Sequence, residues 1–413
     1  MAAASAEAAG TAHVPTGLEL TVLDPRFRED PYPVLAELRR REPVHHDEVL
    51  GQYVLTRHDD VHDVLHDLSL WSDPRKARPG SFTHEFLGQG DEEPSMLLMD
   101  DPGHRRLRDL VRRSFTPRAI ERWRPRVRAV AERLVSALAE GTFELVASLA
   151  APLPSMVIAE LLGIDPAKHA QFKVWSDLST AVGFNPAPEP DQVEAAEGAR
   201  AALQGFFVEE IDHRRRGLGS DLISDMLRAE DGTDRLSEQE IVVLCDLLLI
   251  AGNVTTTDLI GNGVKALVDF PDQAEKLRAQ PGLLRNAVEE MLRFDSPVTN
   301  SGRIASRDLE IGGVQIAEGE TLSVSLAAAN RDPAAYPDPD AFDVEREDTH
   351  HHAFGGGRHF CLGAHLARLE AEETFRALLG RFSSLRLADA GFRYAATPSF
   401  RGFETLWIAD PVA

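Results

Sequence analysis

A mainly α-helical fold carrying small β-sheets is what these 413 residues predict, on three observations. Apolar residues recur at three- and four-residue steps through long stretches of the chain. Strand-like segments are few and short. Neither a fixed-period repeat nor a long linker divides the sequence. Residues 20–413 are therefore expected to form one domain, with residues 1–19 a mobile tail.

In chain order, the helical spacing runs over residues 105–115, 119–138, 193–216, 238–268, 283–294 and 363–379. The fourth has the clearest start: Ser237 supplies an N-cap, and Glu238 and Glu240 place negative charge in the first turn. Strands are expected over 51–56, 309–316, 321–325 and 405–408, with Gly312-Gly313 as a hairpin turn inside the second. Residues 76–94, 184–191 and 398–402 are rich in Gly, Pro or polar side chains and read as loops around a cavity.

Charge and cysteine content exclude several function classes. Sixty-seven acidic residues against 44 basic ones leave a formal charge of -23, which disfavours a nucleic-acid partner. Cys245 and Cys361 are the only cysteines, too few for a disulfide framework. The opening MAAASAEAAGTAHVPTG lacks a basic n-region and an apolar core, so no secretory signal is expected there. The most apolar run, IVVLCDLLLIAG, is interrupted by Asp246 and is short for a bilayer. A cytoplasmic protein without a membrane association is the expectation.

The chemistry concentrates near the C-terminus, in FGGGRHFCLG, residues 354–363. Cys361 stands at the start of an amphipathic segment, where the helix dipole and free N–H groups favour thiolate. Gly355, Gly356 and Gly357 allow a sharp turn and a close approach to a flat ligand. A buried core thiol, a cysteine nucleophile and a metal ligand all fit this local pattern. His350-His351-His352 has no partner cluster in sequence and reads as a loop leading into the motif, while Cys245 reads as helix packing. In LLLIAGNVTTTDLIGNG, Gly252 sits inside a long helical pattern at a cost of about 1 kcal/mol relative to alanine. A distorted turn beside a reaction site, with a hydroxyl aimed into it, would account for it.

Phe354 to Gly363 resembles the haem-binding signature of the cytochrome P450 family, F-x-x-G-x-[RH]-x-C-x-G. The resemblance covers roughly residues 20–410 and implies a P450 fold, with haem b between a long central helix and the cysteine loop. It implies Cys361 as proximal thiolate ligand to iron, a donor that favours O–O cleavage. Glu290 and Arg293 resemble the family's E-x-x-R, and Arg346 its third member, a structural network behind the cysteine loop. The stretch MDDPGHRRLR resembles D-P-x-x-H-x-x-x-R. His104, Arg108, Arg303 and His359 are thereby implied as propionate ligands, and Phe354 and Gly252 as further cofactor-contacting positions.

Ala251-Gly252-Asn253-Val254-Thr255-Thr256 resembles A-G-x-[DE]-T-[TS]. Thr255 takes the place of the threonine that hydrogen-bonds the bound oxygen and helps deliver protons. Val254 departs from the family by replacing its acidic residue: either Asn253 with ordered water substitutes, or the activation step is slow, or the reaction needs no such relay. Thr256 joins Thr255 and Asn253 as a catalytic candidate.

The implied activity is insertion of one oxygen atom from O2 into a small, mainly apolar organic substrate. Electrons would come from a separate ferredoxin or flavodoxin-type protein, received on Arg105, Arg106, Arg112 and Arg113. Residues 76–94, 177–184, 247–250, 298–301 and 400–403 are expected to line the pocket, with Thr299, Asn300 and Arg401 as polar handles. The alternatives are a peroxide-driven or non-oxygenating P450, a non-catalytic haem-binding sensor, and a haem-free cysteine enzyme.

Overall fold

In the computed structural model, residue 17 and residues 24–89, 95–183, 189–231, 234–397 and 399–410 are described. The expected tail apart from residue 17, and parts of all three expected loops, residues 90–94, 184–188 and 398, lie outside them. Helices dominate. Those that frame the site are α1 (Tyr32–Arg41), α2 (His58–His66), α3 (Gly103–Val111), α4 (Arg124–Ala137), α5 (Pro152–Leu161), α6 (His169–Gly183), α7 (Pro190–Arg215), α8 (Glu238–Asp269), α9 (Leu284–Phe294) and α10 (Ala364–Arg381).

Eleven short strands are assigned among the described residues. β1 (Val44–Asp47), β2 (Gln52–Leu55), β9 (Thr321–Ser325) and β6 (Asn300–Ile304) form one sheet in that order. Within it β2 and β9 run parallel, with Gln52 opposite Thr321, so chain segments some 270 residues apart share one ladder. β10 (Arg386–Tyr394), β11 (Phe403–Ala409) and β3 (Thr142–Glu144) form a second sheet, and β4 (Glu230–Asp231) and β5 (Asp234–Arg235) a small hairpin. Residues 309–316 are two strands, β7 (Leu309–Ile311) and β8 (Val314–Ile316), joined at Gly312 and Gly313, whose φ values of 57° and 82° suit the primed turn.

Helix α8 organises the core. Ser237 Oγ accepts from Glu240 N–H while the Glu240 carboxylate accepts from Ser237 N–H, a capping box at its start. Its 32 residues are long and apolar enough to cross a bilayer by length and composition, which the shorter apolar run in the sequence did not suggest. Here sixteen of them are buried against neighbouring elements, among them α5, α7, α9 and α10.

Three expected elements come out differently. Residues 119–138 are not one helix: Pro117–Glu121 and α4 are separate, and Pro125 occupies the first turn of α4, where its missing N–H costs nothing. The helix expected from residue 193 begins at Pro190, because Glu189 and Gln192 close a capping box. Gly252 lies in unbroken α-helix, and a Cβ there would meet nothing within 4 Å. The expected distorted turn is absent, and neither the backbone nor a close neighbour requires glycine at this position.

Candidate active site

The cysteine loop is built from both of its ends. Cys361 N–H donates to Phe354 O at 3.0 Å and closes the hairpin, while Gly355 and Gly357 take φ values of 67° and 61°. Two glycines have a purpose other than the one expected. A Cβ on Gly357 would lie 2.3 Å from Leu65 O, and one on Gly356 would lie 2.8 Å from the His66 ring. They let the loop press onto α2 rather than onto a flat ligand. The His350–His352 segment leads into the loop: Tyr336 OH donates to His350 O, and buried His352 packs its ring against His58 and His62 of α2.

The sulfur itself sits at the N-terminus of α10. Burial pushes the Cys361 thiol up, opposed by N–H donation from Gly363 and Ala364 and by the charges of Arg108 and Arg368. A charged partner bonded to sulfur would reverse the desolvation cost and leave only the stabilising contacts. Phe354 adjoins this point through its carbonyl, which accepts from Cys361 N–H. Its ring lies under the Arg368 guanidinium at 4.5 Å, and Arg368 is held by Glu289 at 2.6 and 2.8 Å. Burial pushes the Glu289 carboxyl up, but His351 and Arg368 outweigh it and hold the pKa at about 2.

Beside the sulfur, three chain segments bring basic groups together. His104 on α3 and His359 in the loop face each other with ring centroids 4.1 Å apart. Arg108 Nη2 donates to Phe360 O at 2.6 Å, and Arg303 on β6 is buried, with only Ser301 and Gly302 O as neighbours for its Nη1. Burial drives the Arg303 pKa down to about 10, with Arg358 adding repulsion. Burial drives His359 to about 2, reinforced by His104, Arg303, Arg358 and Arg108, and its Nε2 is enclosed without a partner among the described residues. The carboxylates at this place are Asp101, in contact with His104 and Arg358, and the more distant Asp100. Such a cluster is self-repelling and short of acceptors. A ligand carrying two carboxylates fits it.

The support beneath the loop is a buried ion network. Glu290 and Arg293 are wholly buried and joined at 2.7 and 2.8 Å, and Arg346 Nε reaches both Glu290 oxygens at 3.2 Å. Arg293 also donates to the carbonyls of Asn330, Pro339 and Ala341, so each charge is hydrogen-bonded on several sides.

On α8 the hydroxyl residues separate. Thr255 is partly open, its Oγ1 donating back to Ala251 O at 2.8 Å. Asn253 points the other way, its Oδ1 accepting from Ser155 Oγ on α5 at 3.1 Å. Thr256 is buried and hydrogen-bonded to Glu370 on α10. Asn253 and Thr256 are thus committed to neighbouring helices, on faces of α8 that turn away from Thr255. Arg401 is likewise no pocket handle: it is buried, paired with Asp295 at 2.5 Å and tied to Arg28 O, Glu29 O and Tyr394 OH. Sequence reading missed the Glu289–Arg368 bridge, although Glu289 adjoins Glu290.

Comparison with known proteins agrees with this arrangement. The cytochrome P450 family matches residues 184–389. The cytochrome P450 monooxygenase PikC of Streptomyces venezuelae is 40% identical, covering 97% of this chain and 95% of that protein. The 6-deoxyerythronolide B hydroxylase of Saccharopolyspora erythraea is 39% identical over 87% of this chain and 91% of its own. The crystal structure of CYP109E1 from Bacillus megaterium in complex with testosterone overlays with a TM-score of 0.83 at 31% identity, covering 92% of this chain and 99% of that one. Identity at this level across nearly the whole length, on one shared fold, makes the chain a bacterial cytochrome P450, a haem-dependent oxidoreductase of the monooxygenase family.

Proposed function

We propose that this P450 uses haem b, bound through Cys361, to insert one oxygen atom from O2 into a small, mainly apolar organic molecule. Electrons arrive from a separate ferredoxin or flavodoxin-type protein, and the enzyme works in the cytoplasm. The observation that carries the reading is the placement of one sulfur at the start of α10, beside a basic cluster in which Asp101 is the carboxylate in contact.

When bound, haem supplies the activation of oxygen; the chain supplies everything around it. His104, Arg108, Arg303 and His359 take the two propionates. The N–H groups of Gly363 and Ala364 hold negative charge on Sγ. Gly252 leaves room for the ring, and Thr255 Oγ1, released from Ala251 O, holds a proton at the reacting face. Proton delivery passes through ordered water to Thr255 and bypasses Asn253 and Thr256, whose side chains are engaged elsewhere.

The reduced protein under carbon monoxide is expected to show the red-shifted Soret band of a thiolate complex, and Cys361→Ser is expected to lose it. A wild-type protein without that band would refute the assignment.

A second reading, a peroxide-driven P450, is favoured by one observation: the residue directly before Thr255 is the apolar Val254. Turnover with a reductase system against turnover with peroxide separates the two. Product formed from peroxide alone would select the second.

A further inference from the structure

Midway along α8 one strip of side chains is left open. Val243 is 37% exposed, and Asp246, Leu247, Ile250, Ala251, Val254 and Thr255 are only partly covered or exposed. Val242, Cys245, Leu249, Asn253 and Thr256, on the other faces, are buried. Steps of three and four residues align the open set along one side. Aside from Thr255 at one end, every member but Asp246 is apolar. Asp246 Oδ1 is enclosed and has no hydrogen-bond partner among the described residues. Burial pushes this carboxyl up, opposed by the charge of Arg200, an exposed residue on α7.

An ionised carboxylate half-shut in an apolar wall is costly unless a cation or donor meets it. An ammonium group brought by a ligand would meet that need and draw Asp246 into its charged form.

We propose that Asp246 selects substrates bearing a basic amine on an otherwise apolar body. The nitrogen sits on the Asp246 carboxylate and the body lies along the strip toward Ala251 and Thr255. At 1.5 Å rise per residue, Ala251 stands about 7.5 Å and Thr255 about 13.5 Å further along the axis. The carbon oxidised therefore lies roughly 8–14 Å from the nitrogen. This rests on the P450 reading, which makes the strip the wall of the substrate site.

The test uses haem-loaded protein and two esters of one shape: 2-(dimethylamino)ethyl decanoate, and 3-methylbutyl decanoate, in which CH replaces nitrogen. Affinities are taken by calorimetry, with the haem spin-state change followed in parallel. Wild type should bind the amine about tenfold tighter or better. Asp246→Asn should erase that preference by weakening the amine alone, and Asp246→Glu should keep it. Equal affinities in wild type, failure of the amine to bind, or a preference that survives Asp246→Asn overturns the proposal. The wild-type comparison stands even if a variant folds poorly. The carbon monoxide band of the same preparations reports separately on the haem reading, so the two can fail independently.

Discussion

Glu370 keeps its carboxyl inside α10, where burial pushes the pKa up to about 8 against a hydrogen bond from Thr256. In the unfolded chain such a group releases its proton near pH 4.3. Between those values the native state holds a proton that the unfolded state has lost. The stability tied to Glu370 is therefore complete below about pH 4 and declines as pH rises toward 8, by at most about 1.4 kcal/mol per unit. Thermal melts from pH 4 to 9 should show Glu370→Gln superposing on wild type at the acid end and exceeding it at the alkaline end. At Thr255 the expectation concerns coupling: Thr255→Ala should go on consuming reductant while product falls by about tenfold or more. The ratio of product to nicotinamide oxidised reads this directly.

Among elements, the cysteine loop depends on what lies behind it. Removing Arg293 leaves buried Glu290 with Arg346 and the Asp343 N–H, and frees the carbonyls of Asn330, Pro339 and Ala341. Arg293→Leu should lower unfolding free energy by about 3–5 kcal/mol, seen as an earlier urea midpoint. The elements that sequence revealed are those whose signal is contiguous, such as FGGGRHFCLG and the capped start of α8. β6, which carries Arg303, was invisible because NSGRI has no apolar alternation; its strand state comes from pairing with β9. Glu289 and Arg368 stand 79 positions apart, and only the packing of α9 on α10 joins them. Arg401 misled for the same reason: its partners come from residues 28–29, 295 and 394, and no local pattern announces them. Asn253 and Thr256 fell in the right motif yet on the wrong faces, since a motif match fixes position along a helix and not its neighbours.

Across the whole molecule, a formal charge of -23 repels an acidic protein partner everywhere except at local basic patches. Arg105, Arg112 and Arg113 on and after α3 are exposed, whereas Arg106 is already taken by Asp234 and Glu240. Arg112 also pairs with Asp109 at 3.3 Å, so at least two of the four arginines expected from sequence already meet a carboxylate. Reversing charge at Arg112 and Arg113 should slow partner-supported reduction severalfold at low salt and flatten its ionic-strength dependence. Unchanged rates would place electron entry elsewhere. The basic crowd formed by His104, Arg108, Arg303, Arg358 and His359 has a wider consequence. In the proposed reading these groups would hold the acid tails at the rim of the macrocycle, and none of them would hold its metal. Protein stripped of its prosthetic group should therefore be rigidified by iron-free protoporphyrin nearly as well as by haem, shown as a raised melting temperature and slowed amide exchange along α3. The same pigment with both acid tails esterified should do neither.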